Sequence, residues 1–212
     1  MAFIRIKKVK KNSGKVYEYA HLVEGIWRKK RIVRPNLRYQ TNEMSPQTLA
    51  INQTKKNYKF RKFNNSLHKY KKFLGRVYNY RDKDKREFED MFGISFKDFV
   101  NSSNINEIYK KLIDFELLCR NFSYKYNILY KDGFFVDLNR LIVHNGKEDV
   151  VLKISKRSGY LCSLSLEELF KIDKVGGRDE GMHLMKKLRM VGIELNPEQF
   201  YILAEKLLNV NQ

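Results

Sequence analysis

Apolar and polar positions alternate over the first ten residues: Ala2, Ile4 and Ile6 fall on one side of an extended chain, Arg5 and Lys7 on the other. The same two-residue period returns over residues 15–24 (KVYEYAHLVE). There Val16, Ala20 and Leu22 share a face, and Tyr17, Tyr19 and His21 share the opposite one. Asn12-Ser13-Gly14 joins the two strands as a turn, Glu24-Gly25 predicts a second turn, and residues 27–34 close a three-stranded antiparallel meander. One side of this sheet can pack while the other presents rings and cations. Residues 35–66 lose all periodicity. Pro35, Pro46, six Asn and the run Tyr58-Lys59-Phe60-Arg61-Lys62-Phe63 predict a flexible basic linker that orders on a ligand. Residues 69–80 (KYKKFLGRVYNY) read as a further strand, or as two short ones broken at Gly75.

After residue 80 the pattern turns helical. Asp84 with Glu87 predicts the start of a short helix that ends at Gly93. Asn104 and Glu107 form a capping box ahead of Ile105, Ile108, Leu112, Phe115, Cys119 and Phe122, an amphipathic stripe of about five turns. Strands follow over 124–131, 133–144, 149–156 and 159–163, with Asp132-Gly133, Asn145-Gly146 and Ser158-Gly159 as hairpin turns. Ser165 and Glu168 cap a short helix, a longer one over 179–190 stops at Gly192, and Asn196-Pro197 opens a last helix with Phe200, Leu203, Ala204 and Leu207 on one face. The expected fold class is α+β. It divides into a basic three-stranded antiparallel β arm (1–34), a flexible basic linker (35–66) and a mixed antiparallel-sheet and helix body (67–212).

Charge sharpens that division. The 212 residues carry 43 Lys+Arg against 24 Asp+Glu, a formal net of +19. Residues 1–80 hold 21 of the cations and 3 of the acids, so the remainder is nearly neutral. Solubility needs no such asymmetry, and the aromatics threaded through the charges are not needed by a merely solvating tail, so a face devoted to a polyanion is expected. An apolar share of 42% suffices for a packed core and excludes wholesale disorder. No apolar run approaches the ~20 residues that span a bilayer, and the early Arg5 argues against a secretory signal. Cys119 and Cys162 sit among apolar neighbours and read as buried thiols of a reduced, cytoplasmic protein.

The segments AFIRIKKVK, YEYAHLVE and KKFLGRVY resemble the N-terminal β-meander of insertion-sequence transposases, over roughly residues 2–34 and 70–78. The resemblance implies DNA binding by the N-terminal module and does not imply transposition, because the remaining residues are too few for an acidic-triad catalytic domain. FFVDLNRLIVHNGKEDVVLKI, GYLCSLSLEELF and GIELNPEQFYILAEKL are similar to the later segments of a family of small basic archaeal proteins. That likeness implies an architecture and no particular chemistry.

Nucleic-acid binding is the function the residues themselves support best, since phosphates attract Lys and Arg and release counterions without any special motif. The candidate contacts are Arg5, Lys7, Lys8, Lys10 and Lys11 in the first strand and its turn, and Arg28, Lys29, Lys30, Arg31 and Arg34 in the third, with Arg38 beyond. Lys69, Lys71, Lys72 and Arg76 add cations from the later strand. A basic sheet of this kind fits a major groove. Tyr17, Tyr19 and Trp27 either stack on unpaired bases or pack the underside of a small sheet. DNA is favoured over RNA through the transposase-like arm. A ribosome-associated protein binding rRNA, a small Mg²⁺-dependent nuclease and an adaptor docking an acidic protein are the alternatives.

For a nuclease, Asp137, Glu148 or Asp149, and Lys153 lie in suggestive order, but Asp149 stands four residues before Lys153 and Val151 occupies the position an acid needs. These read as turn and edge charges. His21, His68, His144 and His183 are far apart with no Cys-x-x-Cys pair, so no metal site is assigned. Cys162 has no implied base, and Gly176-Gly177 lacks a phosphate-loop pattern. No catalytic residue and no cofactor follows. The last two helices do not read as a helix-turn-helix, because Glu198 and Glu205 face a lone Lys206. Their apolar stripe predicts core, a homodimer face or a protein partner's site.

Overall fold

Strand β1 (Ala2–Lys10) and strand β2 (Val16–Ile26) form the hairpin that their alternation predicts, in register from Ala2 opposite Glu24 to Lys10 opposite Val16. The computed structural model describes residues 2–26, 67–156 and 159–209. Between the strands the Gly14 N–H donates to the Lys11 carbonyl at 2.9 Å, with Gly14 at φ +79°. β2 runs on through Glu24-Gly25, where the sequence predicts a turn, because both residues pair with β3 (Leu67–Asn79). The expected strand at 27–34 and linker at 35–66 lie outside the described residues.

β3 carries antiparallel β2 on one edge and parallel β8 (Val150–Lys153) on the other, and β9 (Tyr160–Leu161) completes a five-stranded sheet of order β1-β2-β3-β8-β9. Pairing with β8 involves only Arg76 to Asn79, so residues 67–75 extend past it alongside β2 and β1. The basic hairpin and the body therefore share one mixed sheet, and the fold is α+β. Gly75 marks the junction at φ +121°, and a Cβ there would collide with the Asp149 carbonyl. Two β-bulges interrupt the β2–β3 ladder, between Ala20 and His21 and between Leu22 and Val23; each adds one residue to β3 and resets which face the next side chain takes.

A second sheet is a four-stranded meander of β4 (Ser123–Lys125), β5 (Ile128–Lys131), β6 (Phe134–Asp137) and β7 (Ile142–His144). The predicted strands at 124–131 and 133–144 thus each fold into a hairpin. Tyr126 and Asn127 both take positive φ, the geometry of a two-residue hairpin turn. In the other hairpin the Asp137 carboxylate accepts the backbone N–H groups of Asn139 and Arg140, and Leu141 sits at φ +56°.

The helices are α1 (Phe88–Phe92), α2 (Phe96–Ser102), α3 (Ile105–Leu118), α4 (Ser163–Phe170), α5 (Arg178–Val191) and α6 (Pro197–Asn209). Asn104 and Glu107 form the predicted capping box of α3, Gly93 and Gly192 close α1 and α5, and the Asn196 side chain accepts the Gln199 N–H at 2.8 Å. α2, capped by Ser95, is a helix the pattern does not announce. α4 starts earlier than predicted: Cys162 is its N-cap, and Ser165 lies inside the first turn, accepting the Cys162 N–H.

β8 is buried on both faces. Val150 and Leu152 join the main core with the helices and the meander, while Val151 packs into a smaller core with Ala20, Leu74, Val77 and Cys162 beneath β1–β3. Leu203 and Leu207 of α6 are fully buried in the main core. Arg120 staples the layers. Its guanidinium pairs with Glu116 at 2.7 Å and donates to the backbone carbonyls of Tyr80 and Ile154, just beyond the ends of β3 and β8.

Candidate nucleic-acid interface

Residues opposite each other in an antiparallel ladder project to the same side of a sheet. Arg5 is opposite His21, Lys7 opposite Tyr19, and Val9 opposite Tyr17. On the other edge of β2, His21 is opposite Phe73, Tyr19 opposite Arg76, and Val23 opposite Tyr70. One face therefore carries a file of cations on β1, a file of rings on β2, and Tyr70, Phe73 and Arg76 on β3. The opposite face carries Ile4, Ile6, Ala20 and Leu22, which cover the smaller core.

The rings are in contact. Tyr19 and Phe73 lie 6.1 Å apart, His21 and Phe73 5.4 Å, and His21 and Tyr70 5.8 Å, between ring centroids. The Arg76 guanidinium lies over Tyr17 at 4.3 Å and over Tyr78 at 4.9 Å, while Lys11 lies over Tyr17 at 4.9 Å. Tyr70 and Phe73 remain 58% and 47% exposed, where a residue serving only as packing would be covered. Arg5, Lys7, His21 and Tyr70 border a depression of about 530 Å³. At its side the His21 Nδ1 is buried without a hydrogen-bond partner among the described residues.

The structure sorts the candidate residues. Arg5, Lys7, Lys11, Tyr17, Tyr19 and Arg76 come together on the ring-bearing face. Lys8 and Lys10 alternate onto the other face, where Lys8 pairs with Glu18 at 3.3 Å. Lys69 and Lys72 stand opposite Glu24 and Leu22 on that same face, and Lys71 pairs with Glu24 at 2.8 Å, which holds the Glu24 carboxyl below its ordinary range. Trp27, Arg28, Lys29, Lys30, Arg31, Arg34 and Arg38 lie outside the described residues. Tyr70 and Phe73 are the functional candidates that alternation misses. Three apart in sequence, they belong on opposite faces of a regular strand, and the bulge at Lys71 puts them on one.

Elsewhere several residues weighed for chemistry do structural work. Asp137 is spent on its own turn, and Asp149 bridges to His144 through the backbone. His144 stacks on Phe135 at 5.1 Å. Cys119 and Cys162 are free and buried, and burial raises both thiols above their ordinary range. Among the described residues no group of three or more His, Cys, Asp or Glu side chains is placed to hold a metal, and no helix is long and apolar enough to cross a membrane. Comparison of the chain with family models, with curated proteins and with solved structures finds no match.

Proposed function

We propose that this protein binds nucleic acid through the ring-and-cation face of β1, β2 and β3, with the rings favouring unpaired bases. The observation that carries the reading is the exposure of Tyr70 and Phe73 on the face that also holds Arg5, Lys7 and Arg76. Exposed rings pay a hydration cost that a stacked base removes, and every base offers a π-face, so such a platform is tolerant of sequence. Cations at its border take the flanking phosphates. Duplex DNA hides its bases from such a surface, so a single strand or an RNA loop is the better ligand.

The connection from β2 to β3 strengthens the reading. Residues 27–66 contain 11 Lys+Arg and a single acid. In the sequence they lie between Ile26 and Leu67, and these two residues are partners in the ladder. The two residues that flank that charge are thus at one end of the ring-bearing sheet. The transposase-like opening strands agree with nucleic acid as the ligand class, and they are what speaks for DNA. Binding of single-stranded DNA, single-stranded RNA and duplex DNA to the intact chain, followed by fluorescence anisotropy, tests the proposal. The expected order places both single strands ahead of the duplex, and equal weak binding of all three overturns it.

A further inference from the structure

β3 and β8 run parallel, and a cavity of about 740 Å³ is lined by residues that follow their carboxyl ends. Crevices at the carboxyl ends of parallel strands are where open sheets ordinarily hold ligands. Arg81 reaches the cavity from the end of β3, Lys156 from the end of β8, and Arg189 from the last turn of α5. Lys83 and Arg120 also line it, but both are paired with Glu116, at 2.9 and 2.7 Å. Arg81, Lys156 and Arg189 are exposed, and among the described residues none of the three has an ion pair or a side-chain hydrogen bond. Three cations without an ion pair line this cavity, against one carboxylate among the described residues, and that excess of positive charge favours an anion.

The rest of the lining narrows the kind of anion. Met185, Leu195 and Phe200 give the cavity an apolar wall. Glu194 is its single carboxylate among the described residues, positioned by the Ser155 hydroxyl at 2.9 Å, and is an acceptor of the type that takes sugar hydroxyls. The volume lies within the usual few-hundred to ~1,000 Å³ of small-molecule sites. The site is also rigidly built. Gly159 and Gly192 pack so closely that a Cβ on either would collide with its surroundings, which seats the end of α5 against the β8–β9 hairpin. Arg120, itself part of the lining, ties the residues just past β3 and β8 together.

We propose that this cavity binds a nucleotide unit, its phosphate on Arg81, Lys156 and Arg189 and its base against Phe200 and Met185. The unit is either a free mononucleotide or the phosphorylated end of a strand. The inference does not rest on the ring-bearing face, which lies on a different part of the sheet.

Calorimetric titration of the full chain with AMP, adenosine and inorganic phosphate tests it. AMP is expected to bind at least tenfold more tightly than either fragment, and the Arg81→Gln/Arg189→Gln double variant to lose at least tenfold. Lys156→Gln, a milder change, is expected to weaken AMP in the same direction. Tyr70→Ala/Phe73→Ala, which disables only the sheet face, is expected to leave AMP binding unchanged, so failure of one site is distinguished from failure of the other. Displacement of AMP by a terminally phosphorylated oligonucleotide, and not by its unphosphorylated form, identifies the strand end as the source; no displacement by either identifies the free nucleotide. AMP binding no tighter than phosphate, or unchanged in both cavity variants, overturns the proposal.

Discussion

The guanidinium of Arg76 lies 4.3 Å from the ring centroid of Tyr17, so the end of β3 that enters the body is joined across the sheet to the start of β2. A cation over a partly exposed ring contributes about 0.5–1 kcal/mol. Arg76→Ala is expected to lower stability by that amount in urea titration, while Tyr17→Phe, which keeps the ring, leaves the midpoint in place. A midpoint unmoved by Arg76→Ala contradicts the contact.

Tyr70 and Phe73 are more than two-fifths exposed, and removing them uncovers little core. If they are the platform, each Ala substitution costs about 1–3 kcal/mol in single-strand affinity, the range for one stacked base. Thermal denaturation of the same variants is expected to show little change. Loss of affinity together with a collapse in melting temperature would instead make the rings packing residues.

Gly75 combines φ +121° with a backbone neighbour, the Asp149 carbonyl, inside the space a Cβ needs. Neither obstacle is the movable end of a side chain. Gly75→Ala is expected to destabilise the chain by roughly 2 kcal/mol or more, the range of backbone strain added to overpacking. Gly14→Ala faces open space and suffers only the φ penalty. Comparing the two by denaturant unfolding separates collision from conformation.

Glu168 receives Lys187 and Lys171, each at 2.9 Å, and their hydrogen bonds hold its carboxyl at about 2, well below the ordinary carboxylate value. A depressed folded-state pKa contributes stability that is fully present above the unfolded value of 4.5 and is lost as pH falls through about 2. Glu168→Gln is therefore expected to melt below the parent at neutral pH. The gap should narrow from about pH 4.5 downward, and a gap independent of pH rules this linkage out.

How far the molecule was legible in its sequence depended on the regularity of each element. Alternation places Arg5, Lys7, Tyr17, Tyr19 and His21 on one face because β1 and β2 pair without interruption, and the structure agrees. β3 defeats the same rule, since two bulges shift the phase and bring Tyr70 and Phe73 together. Its parallel pairing with β8 joins residues more than seventy positions apart, and no local pattern encodes that. The capping box at Asn104 and the glycine stops are local chemistry, and they read correctly. Ser165 misleads because its hydroxyl bonds back to Cys162 from inside the helix. The cationic cavity is invisible to composition, because Arg81, Lys156 and Arg189 come from three separate segments of a nearly neutral stretch.

The most direct test of the ring-and-cation face is a salt series of single-strand binding by the intact chain and by an Arg5→Gln/Lys7→Gln/Arg76→Gln variant. Affinity of the parent should fall steeply with salt, and the variant's log–log slope should be shallower by about one for each phosphate contact removed. A variant that keeps both the affinity and the slope of the parent contradicts the assignment of this face.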